Sequence, residues 1–130
     1  MEKPLKDFTQ LRVWQRTRSF VVHIYKITLR FPREEVFGLT SQMRRAGISV
    51  TSNIAEGFGR FSVKEKIQFY NIAQGSLYEL QNQLIISGDI GYLSEKELHM
   101  IYNESIAVGR MLSALVRSSR SKIEPSHPRF

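Results

Sequence analysis

The stretch from Gly38 to Gly57 constrains the fold of this chain most strongly, because it has the pattern of one helix with two stripes. Apolar residues recur at spacings of three and four, which places them on one face of an α-helix. These residues are Leu39, Met43, Ala46, Val50 and Ile54. A polar row runs beside them at Gln42, Arg45, Ser49, Ser52, Asn53 and Glu56. Since most bundle helices have a mixed polar back, the row predicts polar contacts that set helix register or join subunits.

Three further segments show helical periodicity, and no segment alternates as a β-strand does. The first helix is predicted from about Thr9 to Leu29, because the residue before a proline is pushed out of the α region and Phe31-Pro32 follows. The second is predicted from about Phe37 to Phe58. The third and fourth begin at Ser62 and Ser94, each in a capping-box pattern with glutamate three residues later. Short connections predict an all-α, antiparallel up-down four-helix bundle.

The length of 130 residues suits one domain. We predict that residues 1–118 form the bundle and that residues 119–130, which are polar, basic and proline-bearing, form a disordered tail. The N-terminus is charged and has no apolar segment, so we expect no signal peptide. No apolar run approaches the roughly 20 residues of a membrane span. The absence of cysteine fits a reducing compartment, and we expect a cytoplasmic protein without membrane contact.

Enzyme signatures are missing from the sequence. No Glu-x-x-His pair occurs within the four predicted helices, which leaves out the di-iron site of some bundles. No phosphate-binding loop, dinucleotide fingerprint or serine-hydrolase elbow is present. The paired acids Glu34-Glu35 and Glu95/Glu97 suit the first turn of a helix better than acid–base catalysis. We therefore expect no catalytic residue, no metal site and no cofactor.

The formal net charge is +7. A field of this sign attracts polyanions such as RNA and DNA. The alternative is that these charged residues simply lie on the solvent-facing sides of helices, as most surface charges do. From their positions around the second helix, we predict that Arg44 points outward, toward an external anion. Arg45 is predicted to pair with Glu56 or with a carboxylate on another helix or subunit. The candidate nucleic-acid-binding residues are Arg12, Arg16, Arg44, Arg60, Lys64 and Lys66.

Interior glycines and surplus aromatic residues indicate further packing surfaces. A glycine in a helix interior costs about 1 kcal/mol relative to alanine, so Gly47, Gly75 and Gly109 predict close approach of another backbone. Interfaces are enriched in aromatic residues, so the aromatic surplus favours oligomerisation over base stacking. The residues concerned are Phe61, Phe69, Tyr70, Tyr78, Tyr92 and Tyr102.

Several strings together resemble the bacterial four-helix bundle proteins, also called 23S ribosomal RNA intervening-sequence proteins. The strongest are Gln42-Met43-Arg44-Arg45-Ala46, Ser52-Asn53-Ile54-Ala55-Glu56-Gly57 and Gly75-Ser76-Leu77 with Glu79-Leu80. Phe31-Pro32, Phe37-Gly38-Leu39 and Leu11-Arg12-Val13-Trp14 fit the same pattern, so the resemblance covers about Phe8 to Leu115. Gly47 departs from it, because the family usually has alanine there.

The resemblance implies a bundle that assembles as a homopentamer and has no defined enzyme activity. A more distant resemblance, to the accessory variability determinant of diversity-generating retroelements, implies a reverse transcriptase partner and a basic nucleic-acid-binding surface. We expect a non-catalytic oligomer that binds RNA or structured nucleic acid through its basic outer faces, with weak sequence specificity. The alternative is a protein-interaction scaffold, for example an accessory subunit of a nucleic-acid enzyme. No binding residue transfers from the family, because the basic residues outside Arg44-Arg45 are not motif positions.

Overall fold

Four α-helices account for most of the chain in the computed structural model, which describes residues 4–122. They are α1 (Arg12–Thr28), α2 (Leu39–Phe58), α3 (Val63–Ile90) and α4 (Glu95–Ser121). Short 3-10 turns at Phe8–Gln10 and Arg33–Glu35 precede α1 and α2. No strand occurs within residues 4–122, and the all-α fold class is confirmed.

The helices form a ring in which α1 and α3 each pack against both α2 and α4. Contacts between α2 and α3 join Ser49 to Ser76 and Arg45 to Glu79, so residue numbers rise along one helix as they fall along the other. The same antiparallel order holds for the other three neighbouring pairs. Arg44 contacts Thr28 in the α1–α2 pair, and His23 contacts Glu104 in the α1–α4 pair. In the α3–α4 pair, Gln74 contacts Ser113 and Gln81 contacts Ser105.

One apolar core runs along the bundle, and all four helices contribute to it. The seam predicted for α2 lies in this core, with Leu39 packed at its edge. On α1 the apolar periodicity is less informative, because Tyr25 stays 38% exposed whereas Val13 and Phe20 are buried. When a helix also has exposed apolar residues on one flank, apolar spacing alone does not define which face is buried.

The two predicted capping boxes differ in the structure. At Ser94 the hydroxyl accepts from the Glu97 amide at 3.1 Å, and the Glu97 carboxylate accepts from the Ser94 amide at 3.0 Å. At Ser62 the hydroxyl accepts from the Glu65 amide at 3.1 Å, but the Glu65 carboxylate bonds that same hydroxyl instead of the Ser62 amide. Only half of the box at Ser62 therefore forms.

The ends of the bundle differ from the predicted boundaries. α1 begins at Arg12 because the preceding residues form a 3-10 turn, in which the Asp7 carboxylate accepts from the Thr9 amide. α4 continues to Ser121, so residues 119–121, predicted as tail, are helical. Ser119 is buried, and its hydroxyl donates to the Leu115 carbonyl at 2.8 Å. The rest of the predicted tail, residues 123–130, lies outside the described residues.

The interior glycines do not meet another backbone as predicted. The nearest neighbours of a Cβ at Gly47 would be side-chain atoms of Val21 and Leu80, and at Gly109 a methyl group of Leu77. A Cβ at Gly75 would have nothing within 4 Å. Among the helices described, none is long and apolar enough to cross a lipid bilayer.

Candidate functional site

The antiparallel topology divides the charges of the chain unequally between the two halves of the bundle. We define the basic half as residues 4–20, 50–76 and 109–122, which hold the start of α1, the end of α2, the start of α3 and the end of α4. It carries eleven lysines and arginines against three acids, a formal net charge of +8. The opposite half, residues 21–49 and 77–108, carries six lysines and arginines against seven acids, a formal net charge of −1.

Most cations of the basic half are exposed, and they come from α1, α3 and α4 and from the segments that flank the helices. They are Lys6, Arg12, Arg16, Arg18, Arg60, Lys64, Lys66, Arg110, Arg117, Arg120 and Lys122. Five of the six residues predicted to bind nucleic acid lie in this half. The sixth, Arg44, lies in the opposite half. The candidate set from the sequence omitted the cations of α4, although the predicted antiparallel topology already placed the end of α4 beside the start of α3.

Arg60 is held at the junction between α2 and α3. Its guanidinium carbon lies 4.5 Å from the centroid of the Phe69 ring, and a terminal nitrogen lies 3.6 Å from the Glu56 carboxylate. Cation–π contact and a one-turn ion pair restrict the side chain while leaving it exposed to solvent. Arg60 is thus held at this end of the bundle with its side chain accessible to solvent.

Lys66 is the least accessible cation of the basic half. Its ammonium donates to the carbonyl of Phe58 at 2.5 Å and lies 5.3 Å from the Phe58 ring centroid. The carbonyl belongs to the last residue of α2, where a helix leaves carbonyls without intrahelical partners. Burial, followed by repulsion from Lys122, lowers the pKa of Lys66. Lys66 therefore ties α3 to the end of α2, while Lys64, two residues earlier, is exposed.

The predicted outward orientation of Arg44 is wrong. Arg44 is half-buried: its Nε donates to the Thr28 hydroxyl at 2.9 Å, and a terminal nitrogen donates to the Tyr25 carbonyl at 3.2 Å. Its guanidinium also stacks 4.6 Å from the Tyr25 ring centroid. Arg44 thus holds the last turn of α1 against α2. Arg45 is the more exposed of the two residues.

Part of the polar row of α2 faces α3 within the same chain, whereas Ser52 lines a groove on the α1 side. Arg45 donates to the Gln42 side-chain carbonyl at 2.6 Å and lies 3.5 Å from the Glu79 carboxylate of α3. Among the partners predicted for Arg45, the structure shows a carboxylate on another helix, that of Glu79, whereas Glu56 pairs with Arg60. The row thus connects α2 to α3 at the boundary between the two helices.

Further along the row, contacts are made by neutral side chains. The Ser49 and Ser76 hydroxyls lie 2.8 Å apart across the α2–α3 boundary. Asn53 donates to the Ser49 carbonyl at 2.8 Å and also lies 3.2 Å from its hydroxyl. The Ser49–Ser76 contact fixes the register between the helices, which is one of the two roles predicted for the row, and Asn53 orients Ser49 within α2. The other role, contact between subunits, stays a prediction.

The residues that carry acid–base or metal-binding groups are dispersed. The closest pair across helices is His23 of α1 and Glu104 of α4, with Nδ1 and a carboxylate oxygen 2.5 Å apart. Over residues 4–122, no group of three or more His, Cys, Asp or Glu side chains is placed to hold a metal ion. The basic half is therefore the strongest collection of chemically similar groups in the described part of the chain.

Comparison with known proteins places the chain in a family. The model of the 23S rRNA-intervening sequence protein matches residues 9–114. The crystal structure of a protein of unknown function from the S23 ribosomal protein family of Bacteroides thetaiotaomicron has the same fold, with a TM-score of 0.73 and 24% identity over 81% of this chain and 98% of that chain. No curated protein matches. Because the family match covers most of the bundle, this chain belongs to the 23S rRNA-intervening sequence protein family.

Proposed function

We propose that this protein is a non-catalytic bundle that binds nucleic acid through its basic half. The observation that carries the proposal is the separation of charge, +8 in the basic half against −1 in the opposite half. Cations that neutralise phosphates release counterions from the nucleic acid, and this release favours binding without reading sequence. The family name refers to 23S rRNA, which makes structured RNA the first ligand to test, followed by DNA.

The exposed cations of the basic half suit phosphate contacts more than base recognition. Seven of its eleven cations are arginines, whose planar fork binds a phosphate through two hydrogen bonds. Base recognition requires side chains aimed at groove edges, and phosphate contacts alone carry no sequence information. We therefore expect weak sequence specificity, and a cytoplasmic location where RNA and DNA are both available.

We further propose that the protein assembles with itself, and a homopentamer is the assembly that the family resemblance implies. Four exposed apolar side chains, Val22, Tyr25, Leu29 and Ile48, line one groove between α1 and α2 and support an interface there. Several basic halves in one particle would raise the binding strength through multivalency. Light scattering tests this, because a monomer mass at working concentration would contradict it.

The same apolar groove also favours the alternative function, a scaffold that docks one partner protein such as a nucleic-acid enzyme. A pull-down after nuclease treatment separates the two functions. Recovery of one stoichiometric protein from nuclease-treated extract, with no affinity for purified RNA, would favour the scaffold. Loss of all partners on nuclease treatment would favour direct nucleic-acid binding.

Titration of a labelled RNA hairpin and a DNA duplex at several salt concentrations tests the proposed function. If the basic half contacts at least three phosphates, the logarithm of the DNA association constant falls against that of salt with a slope of about −3 or steeper. No binding at low salt, or an affinity insensitive to salt, would contradict the proposal.

A further inference from the structure

The groove between α3 and α4 combines an exposed aromatic ring with two arginines. Tyr78 stands on the α3 side and is 63% exposed, while Arg110 and Arg117 stand on the α4 side. The groove has a volume of about 510 Å³ and is distinct from the apolar groove between α1 and α2. Gly109 lies in its wall, where a Cβ would meet a methyl group of Leu77.

The charge of this groove is unopposed. None of the residues that line it is acidic. In the part of the chain that the structure describes, neither Arg110 nor Arg117 forms a salt bridge, and both are exposed. At a rise of 1.5 Å per residue, their Cα atoms lie about 10.5 Å apart along α4. The two guanidinium groups are thus positioned for different phosphates of one strand.

Two polar side chains in the groove are already oriented by neighbours. Gln81 donates from its Nε2 to the Ser105 hydroxyl at 3.0 Å, and the Ser113 hydroxyl accepts from Gln74 Nε2 at 3.0 Å. Aromatic rings on which unpaired bases stack, beside cations that contact the backbone, are typical of sites for single-stranded nucleic acid. Tyr78 is therefore better explained as a stacking platform than as part of the aromatic surplus for oligomerisation.

We propose that the α3–α4 groove binds a single-stranded segment of nucleic acid, with an unpaired base stacked on Tyr78 and flanking phosphates on Arg110 and Arg117. This inference rests on the proposed function, because it assigns part of the bound nucleic acid to a particular groove. A base within a duplex is stacked on its neighbours and presents no free face to Tyr78. The groove consequently selects loops, bulges and ends, whereas the exposed cations elsewhere in the basic half contact phosphates of either form.

The test compares a uridine oligonucleotide with an RNA duplex, using the wild type, Tyr78→Leu and Tyr78→Phe. Because Tyr78→Leu removes the ring on which the base stacks, we expect it to weaken single-strand binding about 5- to 10-fold. Duplex binding should stay unchanged, and Tyr78→Phe should match the wild type. An oligonucleotide with one 5-iodouridine should crosslink to Tyr78 on irradiation, located by mass spectrometry. Circular dichroism checks that each variant folds.

Three outcomes would overturn the inference. If Tyr78→Leu binds the single strand as the wild type does, while Arg60→Gln weakens both ligands, the groove is not a nucleotide site and the proposed function stands. If Tyr78→Leu changes the particle mass by light scattering, Tyr78 belongs to a subunit interface. If the wild type binds neither ligand, the inference and the proposed function both fail.

Discussion

Gly57 of α2 packs directly against the ring of Tyr70 of α3, and a Cβ at Gly57 would lie 2.6 Å from the ring atom Cε1. Tyr70 is only 2% exposed and is enclosed by the core, so its ring has little room to move. The missing side chain at Gly57 therefore lets α2 and α3 approach closely just before the connection that joins them. Gly75 on α3 is the opposite case, with open space around the position of a Cβ.

We expect Gly57→Ala to lower the free energy of unfolding by about 1–3 kcal/mol, because overpacking against Tyr70 exceeds the helix-propensity gain. Gly75→Ala is the matched control. With no steric conflict, it should raise the free energy of unfolding by up to about 1 kcal/mol. Urea unfolding of the three proteins measures both changes. Equal stabilities of the two variants would contradict this account of Gly57.

Arg44 is expected to contribute to stability more than to nucleic-acid binding. Arg44→Gln removes the hydrogen bonds to Thr28 and Tyr25 and the stacking on the Tyr25 ring. We expect a loss of about 1–2 kcal/mol in the free energy of unfolding. Arg45→Gln is the control, since its exposed ion pair with Glu79 is worth at most about 1 kcal/mol. Urea unfolding and RNA titration of both variants test this, and a larger loss of RNA affinity in Arg44→Gln would contradict it.

Glu35 is expected to make the fold sensitive to acid. One carboxylate oxygen accepts from the Leu39 amide at 3.0 Å, and the other accepts from the Tyr92 hydroxyl at 2.7 Å. These bonds, that to Leu39 first, hold the pKa of Glu35 below its ordinary value of 4.5. The ionised form is thus favoured by folding. Its contribution is fully present above pH 4.5 and is lost as the pH falls through the lowered pKa of the folded state.

Urea unfolding across acidic pH measures this contribution in the wild type and in Glu35→Gln. The stability difference between them should be largest near neutral pH and should shrink as the pH falls below 4.5. Tyr92→Phe removes one of the two bonds and should give an intermediate difference. A stability difference between the wild type and Glu35→Gln that is constant across the whole pH range would show that folding does not lower the pKa of Glu35.

Local sequence patterns predicted the helices well, because periodicity and caps depend on neighbouring residues. The complete box at Ser94 and the buried seam of α2 are examples. The flanks of a helix were harder to predict. Arg44 and Arg45 differ by one position, about 100° around α2, and periodicity does not say whether α1 or α3 lies beside each flank. The burial of Ser119 likewise depends on packing that no local polar pattern reveals.

The candidate site was predicted only in part for the same reason. Arg60 and Lys64 are close in sequence and were both predicted to bind nucleic acid, whereas Arg110 and Arg117 are distant from them in the chain. The antiparallel order of α3 and α4 brings these pairs into one half of the bundle. The groove beside Tyr78 depends on side-chain positions on two helices, which the periodicity of either helix alone does not define.

If the basic half, and not net charge alone, binds nucleic acid, removal of equal charge from the two halves should have unequal effects on RNA affinity. The most direct measurement is the RNA affinity, over a range of salt, of Arg16→Gln/Lys64→Gln in the basic half and of Lys26→Gln/Arg33→Gln in the opposite half. All four residues are exposed, and both double variants lose two positive charges. We predict that the first variant binds about tenfold more weakly at low salt and has a salt slope shallower by about 1–2, while the second stays close to the wild type. Equal losses of affinity in the two variants would contradict the claim.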